Sequence, residues 1–254
     1  MRNPVLSITI LALGSFIMTT TATAAPLNLL ASTAVQTVLE EVLAQHERAS
    51  GDSIAVTIAS TAAIMARLKA GETPDMVVVT REGIDALVQE GKVVAASRAE
   101  LASAGLGIAV KRGAPKPDIS TVDALKRTLL ASRSVAYTAS GASGQYFAKL
   151  LERLGIAEEM KPKSNILKSG LAGDVVARGE AELAVQMMSE ILAVPAAELV
   201  GPLPAEVQST MMFTAGTLAG SARSGEARAL VNYLRTPAVG AVFKARGLDP
   251  AGSK

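Results

Sequence analysis

A strand that runs into small residues and then a helix occurs three times in this chain, and that recurrence limits the fold more than any other feature. The longest copy reads Ser134-Val135-Ala136-Tyr137, then residues 138–144 with no large side chain, then Tyr146, Phe147, Leu150, Leu151 and Leu154 at helical spacing before Gly155. Leu27 to Ala31, Ser32-Thr33 and the series Val35, Val38, Leu39, Val42, Leu43 form another. Ile54 to Ile58, Ser60-Thr61 and Ile64, Met65, Leu68 form the remaining one. A small-residue loop at a helix start offers backbone N–H groups and hydroxyls at the positive end of the helix dipole, which is how anion sites are made. Capping alone explains a single such loop. Several of them argue for a common crevice at the carboxyl ends of strands, where open α/β sheets bind ligands.

The remaining pattern extends this layer. Pro74 to Thr80 is a continuous apolar strand of the kind covered on both faces, and alternating strands and helices predict a doubly wound α/β arrangement. Leu106 to Val110 reads as a strand, 161–168 as irregular and basic, Ala181 to Met187 as a strand and 194–204 as loop. Thr210 to Thr217 is a further strand, and the last helix has Pro237 in its first turn and Gly247 just past its end. The pattern loosens near 97–104 and 204–210, which predicts two crossings between lobes. Residues 25–100 with 210–254 then form one lobe, and 101–209 the other.

Several classes are disfavoured. Arg2, the apolar run Val5 to Met18 and Ala22-Thr23-Ala24 read as a secretory leader cut after Ala24. There is no cysteine, which excludes a lipid-anchored cysteine, disulfides and thiolate metal sites. Lys+Arg total 25 against Asp+Glu 23, and aromatics are 3%, so the chain lacks the basic face and stacking platforms of nucleic-acid binders. No base stands near a nucleophile, since the one histidine, His46, falls late on the first helix, expected at the surface and away from Ser32. Neither catalysis nor a cofactor is expected.

The chain resembles the molybdate-binding-like group of periplasmic solute-binding proteins, the extracellular components of bacterial ABC importers. The resemblance runs from Leu27 to Leu248. It is carried by Leu29 to Leu39, by Ile58 to Val79 with its Pro-Asp-x-Val-Val-Val pattern, and by Ser143-Gly144-Gln145-Tyr146-Phe147-Ala148-Lys149. Val176 to Glu182 and the closing Tyr233 to Gly247 complete it. It implies a type II periplasmic binding fold: two α/β lobes joined by a hinge, with the ligand in the cleft. It also implies a monomer that serves an ABC permease. Carried over by position, the anion donors fall at Ser32, Thr33, Ser60 and Thr61 in the first lobe. In the second they fall at Ser140, Ser143, Gly144 and near Ser169.

One departure bears on the ligand. Where molybdate binders of this group carry a tyrosine with an acid three places on, this chain has Met187 and Glu190. Met187 cannot donate a hydrogen bond. Gln186 could, but alternation along a strand places it on the opposite face from Met187. The expected function is capture of a small, molybdate-like anion for an importer. A small organic acid or other polar organic ligand, for transport or sensing, is the alternative.

Overall fold

The computed structural model describes residues 25–252, so the leader expected at 1–24 lies outside the described residues. The recurring unit of the sequence forms as expected. β1 (Leu27–Ser32) leads through a single 3-10 turn into α1 (Gln36–Ser50), β2 (Ile54–Ala59) into α2 (Thr61–Lys69), and β3 (Met76–Thr80) into α3 (Arg81–Gln89). α1 buries Val38, Leu39, Val42, Leu43 and His46, a stripe along one face. It stops at Gly51, whose left-handed φ of 77° lets its N–H reach the Glu47 carbonyl at 2.9 Å. β2, β1 and β3 are parallel, with Leu29 opposite both Val56 and Met76.

β4 (Ala99–Lys111) is longer than the sequence pattern indicated. The second group of elements follows it: α4 (Val122–Ala131), β5 (Val135–Thr138), α5 (Ala142–Arg153), α6 (Ala157–Met160), β6 (Ser164–Leu167), α7 (Ala172–Ala177), β7 (Leu183–Met187), α8 (Met188–Leu192) and β8 (Ala197–Pro202). β5 lies parallel between β6 and β7. The chain closes with β9 (Thr210–Thr217), α9 (Ser224–Leu234), α10 (Pro237–Ala245) and β10 (Asp249–Pro250).

The strand order is β2-β1-β3-β9-β4-β7-β5-β6, with β8 and β10 each attached to β4. β4 belongs to both halves. Its residues 99–105 pair with β9, which in turn pairs with β3, while 106–111 pair with β7 and β8. The result is two α/β lobes sharing one long strand. The core runs through both, with Phe147, Phe213 and Phe243 among its largest fully buried side chains.

Three readings of the sequence are corrected. Residues 164–167, expected to be irregular, form β6, and 197–202, expected to be loop, form β8. Both are only partly buried and lack alternation, so their pairing with β5 and β4 decides their state rather than their own pattern. His46, expected at the surface, is 7% exposed because its ring lies 4.9 Å from that of Tyr233 on α9.

Candidate functional site

A cavity of about 520 Å³ lies between the lobes, where the carboxyl ends of β1, β2 and β3 approach those of β5 and β7. On the first wall, each parallel strand ends in, or is followed directly by, a hydroxyl residue that caps the turn or helix after it. Ser32 Oγ accepts the Ala34 N–H at 3.4 Å, Ser60 Oγ the Ala63 N–H at 3.3 Å, and Thr80 Oγ1 the Gly83 N–H at 3.4 Å. Thr61 Oγ1 accepts the Thr80 N–H at 3.3 Å. In all four the oxygen is the acceptor, so the hydroxyl hydrogen can still donate to a ligand.

The second wall is built differently. α5 starts after Gly141 with no side-chain cap. The Gln145 N–H bonds the Gly141 carbonyl at 3.0 Å, which leaves the N–H groups of Ala142, Ser143 and Gly144 outside the helix's own ladder. A side chain could not be placed at the cap. A Cβ on Gly141 would meet Thr138 Oγ1 at 2.3 Å, and one on Gly144 would meet the Thr138 carbonyl oxygen at 1.7 Å. Thr138, Ser140, the buried Ser143 and the segment Lys168-Ser169-Gly170 complete this wall. Lys168 is the one cation among the lining residues.

Between the walls sit Gln186, Met187 and Glu190. The Thr33 hydroxyl donates to Glu190 Oε1 at 2.7 Å, joining the first lobe to the second. Burial pushes the Glu190 carboxyl above the usual glutamate range, and bonds with Thr33, the Met187 backbone and the Gln186 side chain pull it back. Gln186 Oε1 accepts the Ala172 N–H at 2.7 Å, which turns the amide nitrogen toward Glu190. Ile58, Leu171, Met187 and Phe213 give the cavity an apolar side.

Ser32, Thr33, Ser60, Thr61, Ser140, Ser143, Ser169, Gln186 and Met187 thus all border one cavity. Gly144 does not; it packs beneath, on Thr138. Gln186 and Met187, expected on opposite faces, both reach the cavity because β7 ends at Met187 and the chain turns there into α8. Thr80, Thr138, Lys168 and Phe213 were not foreseen as lining residues, and Glu190 was noted only as the counterpart of the acid in molybdate binders. The rule that selected Ser32 and Ser60, a hydroxyl at a strand end, also selects Thr80 and Thr138 when applied to their strands. Among the described residues no group of His, Cys, Asp and Glu is placed to hold a metal. Hydroxyl and backbone N–H donors from two sides can replace the water shell of an anion without a fixed counter-charge.

Two α/β lobes around a donor-lined cleft are the architecture of the type II periplasmic binding-protein fold. The chain belongs to the family of bacterial extracellular solute-binding proteins, which it matches over residues 27–249. It is 34% identical over 255 residues to a Pseudomonas protein named aconitate isomerase, an alignment covering 98% of this chain and 97% of that one. The periplasmic molybdate-binding protein of Azotobacter vinelandii superposes with a TM-score of 0.74 at 19% identity, covering 87% of this chain and 98% of that one. The sulfate-binding protein SubI of Mycobacterium tuberculosis gives 0.72 at 18% identity, covering 91% and 88%. Among the described residues no helix is long and apolar enough to cross a membrane.

Proposed function

We propose that this protein captures a small organic polycarboxylate in the interlobe cleft and delivers it to an ABC importer. The observation that carries this reading is the composition of the cavity. Its 520 Å³ falls within the ~300–1,000 Å³ of small organic ligand sites, and it joins an apolar side to anion donors on two walls. The carboxylates of one molecule can engage the hydroxyls of the first wall and the α5 N–H groups of the second. Its carbon skeleton then lies against Met187 and Phe213. The 34% identity to a protein named for aconitate, a tricarboxylate, supports the same ligand class.

In this reading the lobe of residues 25–100 and 210–254 closes on the lobe of 101–209, turning where β4 passes from β9 to β7. The protein works as a monomer in the periplasm after its leader is removed at Ala24, and a membrane permease reads the closed form. A thermal-shift screen tests the ligand class. The isomers of aconitate and related di- and tricarboxylates should raise the melting temperature at lower concentration than molybdate, tungstate or sulfate. Stronger stabilisation by molybdate than by every carboxylate would return the site to the tetrahedral oxyanions.

A further inference from the structure

We infer that Lys168 is the charge-reading residue of the cleft: its ammonium takes one carboxylate of a ligand whose other carboxylates lie on the neutral donors of the two walls. This rests on the polycarboxylate reading above and names the residue that selects for it.

Lys168 borders the cavity, exposed to solvent, and follows β6 directly. Its backbone is pinned on both sides. Thr138 lies opposite Leu167 where β5 pairs with β6, and the Ala139 N–H bonds the Leu167 carbonyl at 2.8 Å. Beyond Ser169 the chain reverses at Gly170, whose φ is 92°, and the Ala172 N–H is held by Gln186 Oε1 at 2.7 Å. Lys168 therefore starts one strand spacing, ~4.8 Å, from the segment 139–141 that leads into α5. Its flexible stem lets the ammonium meet a ligand group beside the one seated on the α5 N–H groups.

The side chain is unengaged. Among the described residues Lys168 has no hydrogen bond or ion pair, whereas Lys161 and Lys163 on the same stretch are held by Glu158, at 2.7 Å, and by the Leu130 carbonyl. Glu190, the one acid lining the cavity, does not serve it. The groups that act on that carboxyl are Thr33, the Met187 backbone and Gln186. A cation beside the start of α5 also stands at the positive end of a helix, the end that disfavours it. Among the described residues nothing offsets this; a bound anion does. The other donors facing the cavity are hydroxyls, one amide and backbone N–H groups, which suffice for a single compact ion. A full charge set to one side of them fits a further carboxylate, a few carbons from the first. At the mouth of the cleft it also acts before contact, because a charge there steers an oppositely charged ligand, and salt screens the effect.

Calorimetric titration with trans-aconitate, in low and in high salt, tests the assignment. Lys168→Gln should weaken binding about ten-fold in low salt, the lower end for one charge-assisted hydrogen bond because the residue is open to water. In high salt the loss should shrink to less than about three-fold. Lys168→Arg, which keeps the charge, should stay within about three-fold of wild type in both. Without ligand, both variants should melt within about 2 °C of wild type, since the side chain bonds nothing in the fold. Wild-type affinity in folded Lys168→Gln at low salt would overturn this inference and leave the capture reading standing. An equal loss in Lys168→Arg, or a loss in Lys168→Gln that salt does not change, would also overturn it, by assigning the effect to shape rather than charge. A wild-type affinity that is flat with salt would do so without any variant. Absence of binding by the wild type to every carboxylate of the thermal-shift screen would overturn both readings.

Discussion

The two walls of the cleft offer the same kind of hydrogen-bond donor by opposite means. On the first, Ser32, Ser60 and Thr80 each take up one N–H at the start that follows, and their hydroxyl hydrogens stand ready for a ligand beside the N–H groups left over. On the second, Thr138 fills the space beside Gly141 and Gly144, no capping side chain fits, and the backbone N–H groups themselves remain. The difference lies in adaptability. A hydroxyl rotates to meet whatever acceptor arrives, whereas the N–H groups of α5 point where the helix points. In the capture proposed above, the first wall would tolerate ligands and the second would select them.

The largest effect that separates the walls should come from Gly144→Ala. Its new methyl would meet the Thr138 carbonyl oxygen at 1.7 Å, and backbone cannot move aside as a side chain can. A loss of about 3 kcal/mol in urea unfolding is expected, at the upper end of ordinary overpacking. A loss below about 1 kcal/mol would mean that α5 can slide, and that the second wall is not rigid.

Ser143→Asp sharpens the comparison without attacking the fold. Its carboxylate, at a helix start rich in N–H donors, would take the place of the ligand's own charge. The variant should fold yet gain nothing from ligand, where wild type gains about 2.7 kcal/mol at 100 times the Kd. Calorimetry giving wild-type affinity for a folded Ser143→Asp would remove the α5 start from the site.

The contact between the walls has its own signature. The folded-state pKa of Glu190 lies above its unfolded value, so the folded state holds more protons between the two. Ligand-free stability should be greatest below the ordinary glutamate range and fall as pH rises through the raised pKa. Melting curves at a series of pH values, compared between wild type and Glu190→Gln, isolate this slope. An equal slope in both would assign it elsewhere.

The smallest effect is expected on the first wall. Ser60→Ala removes one cap whose bond is already long at 3.3 Å, so about 0.5–1 kcal/mol should be lost in chemical unfolding. Ser60→Gly should lose less. Its ligand affinity should weaken modestly, since the neighbouring hydroxyls of Ser32, Thr61 and Thr80 can reorient.

How much of this was legible depended on whether a feature was local. The hydroxyls at strand ends and the small residues of 138–144 are written consecutively, and they led directly to six residues of one cavity, Ser32, Thr33, Ser60, Thr61, Ser140 and Ser143. Glu190 and Thr33 are 157 positions apart, and nothing in either neighbourhood announces their bond. Phe213 reaches the cavity from the returning strand β9, which looked like ordinary core. His46 is buried by Tyr233 on α9, far along the chain. Residues 101–105, rich in Ala, Ser and Gly, have little strand preference of their own. They are extended because β9 pairs with them.

That long strand sets how the molecule can move. β4 passes from one lobe to the other at Gly105–Leu106 without leaving the extended conformation. Just there, Gln208 stands in for a strand: its side chain accepts the Leu106 N–H and donates to the Leu106 carbonyl, both at 2.9 Å. A ribbon braced in this way acts like a leaf spring. It flexes across its thin direction, resists shear within its plane, and stores no slack as a floppy linker would. In the closure proposed above, the two halves would approach along one arc, the one that brings Thr33 to Glu190.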